Sequence, residues 1–186
     1  MIDKARAIYS VMQTMDVLEA LPRTGYLLRG VRNAENVAAH SFQTAMLAML
    51  LADAEGGVDK EKVLRMALLH EAGETLLTDL PLTAKKYLRS DQVDQAELAA
   101  AADALSFLDD PKPYLSLVEE YQQGRTTEAK LVRAADKLQM LCKVRFYEKA
   151  GATNLDEFFE KDQGMDLESL PVAKALLELL QSLSGK

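Results

Sequence analysis

The 186-residue chain contains two histidines, His40 and His70, and both stand in surroundings that invite chemistry. In the stretch LRMALLHEAGETLLTDLP, His70 is followed at once by Glu71 and, one helical turn later, by Glu74. Residues four apart on a helix share a face, so this spacing points His70 and Glu74 into one space, with Glu71 at its edge. His40, in RNAENVAAHS, shares its helical face with Val37, Thr44, Leu47 and Leu51, which turns the imidazole toward the interior. In EAKLVRAADKLQMLCKV, Asp136 has Val132 one turn before it and Met140 one turn after. A carboxylate in an apolar column is costly unless it is paired or bound to a metal.

Three helices thus direct His40, then His70 with Glu71, then Asp136 inward. Two imidazoles and two carboxylates form a mixed nitrogen and oxygen donor set suited to one divalent ion. Mn²⁺, Co²⁺, Fe²⁺, Zn²⁺ and Mg²⁺ are the candidates, and the donor types do not select among them. Open coordination positions would hold water of lowered pKa, and Glu74 would orient or deprotonate it. Each residue alone has a plainer account. A histidine on an apolar face is commonly a hydrogen-bonded core residue. Asp136 has Arg133, Lys137 and Lys143 within reach along its own helix, and the HE…E word also suits a solvated turn. Spacing alone leaves both the metal site and these plainer accounts open.

The elements that must position these residues are helical. Ile2, Ala5, Ile8, Met12, Met15 and Leu18 form one apolar stripe at helical spacing. LPRTGYLLRGVRN, broken by Pro22, Gly25 and Gly30, reads as an irregular segment. The pattern predicts a second helix from an Asn33 cap to about Ala54. A third, capped by Asp59, holds EKVLRMALLHEAGETLL, and TDLPLTAKKYL loops into a short helix. Ser90 caps a helix stopped by DDPKP, and a short helix ends at Gly124. A long helix runs from about Thr127 to Ala150, GATNLDEFFEKDQG connects with one helical turn, and a final helix starts near Pro171. No run alternates as a strand, and no linker separates two domains. The expectation is one all-α domain over residues 1–186, a bundle of seven to nine helices.

Hydrophobic residues make up 48% of the chain, enough for a core. The net charge of −7 argues against a nucleic-acid polymer as partner, since displacing counterions needs a basic face. It leaves room for a small anion in a locally positive pocket. Met1–Gln13 is charged and no signal peptide. The longest apolar stretch, Ala45–Ala52, is too short to span a bilayer, so no membrane association and a cytoplasmic location are expected. The single cysteine, Cys142, sits in apolar LQMLCKV and reads as a structural thiol. No GxxxxGK[ST] loop is present.

The words LPRTGYLLRGVRNAENVAAHS, ALLHEAGETLLTDLP and EAKLVRAADKL, in this order, resemble the HD-domain metal-dependent phosphohydrolases, and within them the 5′-deoxynucleotidase branch. The likeness runs from about Met12 to Glu148. It implies an HD-type fold and release of phosphate from (deoxy)ribonucleoside 5′-monophosphates through attack by a metal-activated water. It implies His40, His70, Glu71 and Asp136 as ligands of one divalent ion, and Glu74 as the residue assisting the water. It further implies that Arg23 contacts the substrate phosphate, that Asp79 fixes the sugar or phosphate region, and that Arg29, Glu35 and Asn36 line or brace the pocket. Members are typically homodimers. Glu71 departs from the family, which carries aspartate there; the extra methylene moves the oxygen on the order of 1 Å unless the backbone adapts. Another HD-type phosphohydrolase, such as a phosphodiesterase, or a non-catalytic nucleotide- or metal-binding module are therefore the alternatives. Tyr26 is the nearest aromatic either to stack on a base or to pack under its own loop.

Overall fold

The computed structural model describes residues 1–160 and 164–183. Among these residues all regular structure is helical, apart from one isolated antiparallel bridge between Pro22 and Asn36. The order is α1 (Ile2–Met15), α2 (Val17–Ala20), α3 (Thr24–Leu27), α4 (Val37–Glu55), α5 (Lys60–Leu69) and α6 (Glu74–Leu77). Then come α7 (Leu82–Lys85), α8 (Ser90–Ala104), α9 (Lys112–Gln123), α10 (Thr127–Lys149), α11 (Glu157–Glu160) and α12 (Pro171–Ser182). Seven are long helices and five are single turns set within the segments read as loops or at helix ends. This is the all-α bundle expected from the periodicity. Among the described residues no helix is long and apolar enough to cross a membrane.

Helix α10 is the axis of the bundle. Its Leu131, Leu138, Leu141 and Val144 are fully buried and join Leu51 of α4, Val63 and Met66 of α5 and Leu180 of α12 in one core. Thr126 caps it, its hydroxyl accepting from the Ala129 amide at 3.2 Å. Asp59 caps α5 as expected, accepting from Lys62 N at 3.0 Å. Gly124 ends α9 in the left-handed conformation at φ 61°, and Pro171 opens α12. Cys142 is partly buried against the core. The α1 stripe differs from expectation, because Ile2, Ile8 and Met12 are each 60% or more exposed and only Leu18, on α2, is buried.

Two boundaries differ from the sequence reading in ways that bear on the site. The second helix is capped by Asn36, whose Oδ1 accepts from Ala39 N at 2.8 Å, and not by Asn33. The preceding residues are tied to the 21–23 segment instead. Arg23 N donates to Glu35 O at 2.9 Å, and Val37 N to Leu21 O at 2.8 Å. The third helix is broken. α5 stops at Leu69, residues 70–73 form a turn, and α6 restarts at Glu74. Gly73 lies so close to α8 that a Cβ there would stand 2.4 Å from the Glu97 carbonyl oxygen. The connector at 151–164 carries the expected helical turn, α11; residues 161–163 lie outside the described ones.

That contact is with backbone, which cannot rotate away. Gly73→Ala is therefore expected to lower stability by about 1–3 kcal/mol, as an overpacked site does, read as a lower midpoint in urea unfolding with an unchanged slope.

Candidate metal centre

His40 projects from the second turn of α4, fully buried, and His70 from the residue that ends α5. Glu71 follows in the turn, and Asp136 comes from the buried face of α10. One donor atom from each of the four lies within 4.8 Å of every other. His40 Nε2 stands 3.4 Å from His70 Nε2, 3.4 Å from Glu71 Oε1 and 3.3 Å from Asp136 Oδ1. His70 Nε2 is 3.6 Å from Glu71 Oε1.

Hydrogen bonds on the outer side of the cluster decide what faces inward. His70 Nδ1 lies 2.7 Å from the Ala67 carbonyl oxygen, which only accepts, so Nδ1 carries the proton and the neutral ring turns its Nε2 lone pair to the centre. Asp136 Oδ2 is engaged outward, accepting from the Tyr121 hydroxyl at 3.0 Å and paired with Lys137 Nζ at 3.1 Å. Its other oxygen, Oδ1, is buried, makes no well-formed hydrogen bond and points inward. Two close ring nitrogens and an unsatisfied carboxylate oxygen at one buried point are the donor set of a divalent ion, and these residues fit one.

The electrostatics follow from burial and charge. Burial pushes the His70 imidazole below its ordinary pKa. Burial and Arg23 push His40 the same way, but Asp136 and Glu71 outweigh them and hold it above. Asp136 resists burial and stays well below the usual carboxylate range because Lys137 and His40 stand beside it. At Glu74 the nearby Arg23 and Lys85 are outweighed. Burial, then the charge of Glu71, pushes its carboxyl up to about 10, and its Oε2 is buried without a hydrogen-bond partner.

A cavity of about 450 Å³ opens beside the cluster, lined by His70, Glu71, Glu74, Asp79 and Asp136 and by the cations Arg23, Arg29, Lys85, Arg133 and Lys137. Arg23 Nη1 donates to Glu71 Oε1 at 3.0 Å and to Asp79 Oδ1 at 2.9 Å. Asp79 also accepts from Thr24 N at 2.6 Å, and its carbonyl oxygen accepts from the Thr24 hydroxyl. Arg29 pairs with Glu157, which also lines the cavity, and lies over the Phe158 ring.

Of the residues singled out in the sequence, the fold brings His40, His70, Glu71 and Asp136 together. It sets Glu74, Arg23, Asp79 and Arg29 along the cavity. Glu35 and Asn36 do not reach it. Asn36 caps α4 and ties it to α2 through Glu19 O, while Glu35 is buried behind His40. Tyr26 is 2% exposed and donates its hydroxyl to Met140 O, so it packs under its loop. Lys137 is the partner of Asp136 that the sequence offered, whereas Tyr121 and Gln139 escaped the sequence reading. Gln139 had a usable signal, an amide one turn from Asp136 on a face that is otherwise apolar.

Residues 15–175 match the family described as HD domain. The chain is 31% identical over 160 residues to the 5′-deoxynucleotidase HDDC2 of Dictyostelium discoideum, covering 79% of this chain and 83% of that protein. It is 30% identical over 162 residues to the protein of that name from Danio rerio, covering 82% and 76%. Among solved structures it is similar to a conserved hypothetical protein from Pyrococcus furiosus, at 38% identity and a TM-score of 0.76 over 93% of this chain and 96% of that one. It is also similar to a predicted metal-dependent phosphohydrolase from Magnetospirillum magnetotacticum MS-1, at 26% identity and a TM-score of 0.71 over 97% of both chains.

Removing an inward donor should empty the centre without unfolding the bundle. For His70→Asn and Asp136→Asn, Zn²⁺ titration against a chromophoric chelator is expected to show affinity lower by about 100-fold or more, with helical circular dichroism retained. Zn²⁺ affinity equal to wild type in both would show that the ion binds elsewhere.

Proposed function

The chain belongs to the HD-domain family, and from that premise we propose that it is a metal-dependent phosphomonoesterase acting on (deoxy)ribonucleoside 5′-monophosphates. The observation that carries this reading is the cluster of His40 Nε2, His70 Nε2, Glu71 Oε1 and Asp136 Oδ1 at the floor of a cavity walled by arginines and lysines. These four would hold one divalent ion. When bound, the ion neutralises phosphoryl charge and makes water acidic enough to serve as nucleophile near neutral pH.

The chain's own residues supply the rest. Glu74 stands just beyond Glu71 with an unpartnered oxygen in a cavity wall; burial and Glu71 favour its protonated form, a divalent ion in the cluster would favour the carboxylate, and that carboxylate is placed to accept the proton that the attacking water loses. Among the described residues Arg23 is hydrogen-bonded through Nη1 alone, which leaves its other N–H groups for phosphoryl oxygens in the forked geometry that suits them. Asp79, with both oxygens committed to Arg23 and Thr24, braces the phosphate end of the cavity. Glu71 Oε1 reaches the cluster while accepting from Arg23, so the longer glutamate side chain serves where the family carries aspartate. The native ion, among Mn²⁺, Co²⁺, Fe²⁺, Zn²⁺ and Mg²⁺, is left to the assay.

Family members are typically homodimers, and α4 supports the same arrangement here. From Val37 through Ala52 it carries no Asp, Glu, Lys or Arg, yet Phe42 is 64% exposed and Met46, Met49 and Leu50 lie on the same outward side. An uncharged helix face open to water is best covered by its own copy, which meets it with the same residues.

Two measurements test this reading. Phosphate release from a panel of 5′-deoxy- and ribonucleoside monophosphates should depend on added Co²⁺, Mn²⁺ or Mg²⁺ and stop with chelator. Glu74→Ala should lose about 10²- to 10⁴-fold in turnover while still binding metal, and full turnover in that variant would remove Glu74 from its role. In sedimentation, Phe42→Glu should raise the dimer dissociation constant about 30-fold or more, the effect of losing one interface anchor.

A further inference from the structure

Behind His40, away from the cavity, lies a buried polar group that the chemistry above does not use. Gln139, on α10 one turn after Asp136, is 2% exposed, and Glu35 is 7% exposed. Gln139 Nε2 lies 3.3 and 3.2 Å from the two carboxylate oxygens of Glu35 and 3.0 Å from Gln43 Oε1. Gln139 Oε1 lies 2.6 Å from His40 Nδ1. Glu35 is held in place from both ends. Its Oε2 is 3.4 Å from Lys143 Nζ, its amide donates to the Tyr147 hydroxyl at 2.7 Å, and its carbonyl oxygen accepts from Arg23 N.

We infer that Glu35 and Gln139 form a positioning relay that fixes the tautomer of His40. A carboxylate paired with lysine offers only acceptors, so the Gln139 atom facing Glu35 must be its NH₂ group. Gln139 Oε1 must then face His40, and because that oxygen only accepts, the Nδ1 it touches carries the proton. A neutral imidazole has one N–H. The Nε2 lone pair is therefore delivered to the point where His70 Nε2, Glu71 Oε1 and Asp136 Oδ1 converge. Reversing the amide would send an N–H into that point and close it to an ion.

The two histidines reach the same tautomer by different means. His70 uses a carbonyl of its own helix, three residues back, which any sequence could supply. His40 sits inside a helix whose carbonyls are taken by backbone amides, so its Nδ1 needs a side-chain acceptor from another element. Glu35, which does not line the cavity, acts through Gln139, and Gln139 acts through His40. Neither lines the cavity, so both are positioning residues and not catalytic ones. This inference rests on the metal-ligand reading proposed above.

The test uses the full-length chain with ¹⁵N-labelled imidazoles. Only two rings contribute to the spectrum, and His70→Asn tells them apart. In chelator-treated wild-type protein, at a pH where the spectrum shows both rings neutral, His40 and His70 should each appear as the Nδ1–H tautomer. In Gln139→Met, His40 should populate the Nε2–H form while His70 stays unchanged. Zn²⁺ affinity, by competition with a chromophoric chelator, should fall about 10- to 100-fold, the usual cost of losing such an outer partner. Gln139→Glu, which keeps an acceptor oxygen beside Nδ1, should keep the Nδ1–H form. A wild-type His40 in the Nε2–H form overturns the relay without any variant. So does a Gln139→Met protein whose His40 tautomer and Zn²⁺ affinity match wild type. Failure of the wild-type chain to bind Zn²⁺ overturns the ligand set itself, and the wild-type spectrum then still accepts or rejects the relay.

Discussion

Two imidazoles and two carboxylates meet at one buried point of an otherwise apolar bundle, and the rest of the architecture answers to that constraint. Taking carboxylates out of water is expensive, and holding them beside each other more so. The chain meets the cost by surrounding the cluster with groups that each satisfy its outer side. Tyr121 and Lys137 engage one oxygen of Asp136, and Ala67 O and Gln139 engage the two rings, while Arg23 bonds the very oxygen of Glu71 that faces the cluster. Asp136 Oδ1 and the two Nε2 atoms are left facing inward, and that is the side where a cation fits. The plainer account of Asp136, a pairing with Lys137, is thus true of one oxygen and leaves the other for the cluster.

The same economy shapes the cavity wall. The turn between α5 and α6 carries Glu71 and the start of α6 carries Glu74, both on the cavity, and Gly73 lets that turn approach α8 closely. Just beyond, Thr78 has φ 65°, a region that a β-branched residue rarely adopts and that costs on the order of 1–3 kcal/mol. The next residue, Asp79, is locked by Arg23 and by both the amide and the hydroxyl of Thr24. Those bonds keep the strained backbone in place and fix the arginine on the cavity wall. Strain and anchor are adjacent because the segment must turn sharply and still present a carboxylate to the loop at 23–24.

Helix α4 serves two surfaces at once. Its inward face carries His40 among Val37, Thr44 and Leu51, and its outward face carries Phe42, Met46, Met49 and Leu50. A helix apolar all round belongs in an interior. On this chain half of that interior is supplied by α5, α10 and α12, and the other half is what a second copy would supply. His40 and the proposed dimer face are then on opposite sides of one helix.

The sequence by itself determined the helical class, the long helices and the inward direction of His40, His70 and Asp136, because helical periodicity is a local property and an apolar face must turn inward. It also carried Glu74 and Arg23 as members of recognisable words. It misplaced the α4 cap at Asn33, because nothing local reveals that residues 33–36 are tied to the 21–23 segment. It ran one helix through His70–Gly73, because the close approach of Gly73 to the Glu97 carbonyl is a contact between distant parts of the chain. The resemblance offered Glu35 and Asn36 as lining or bracing the pocket; they do not line it, and which side of the His40 ring they occupy is set by packing. Only the tertiary structure decided that the donor atoms of four residues up to 96 positions apart come within 4.8 Å of one another. It alone paired Gln139 with His40 across 99 positions, since which buried polar groups satisfy each other depends on how helices pack and not on their spacing along any one of them.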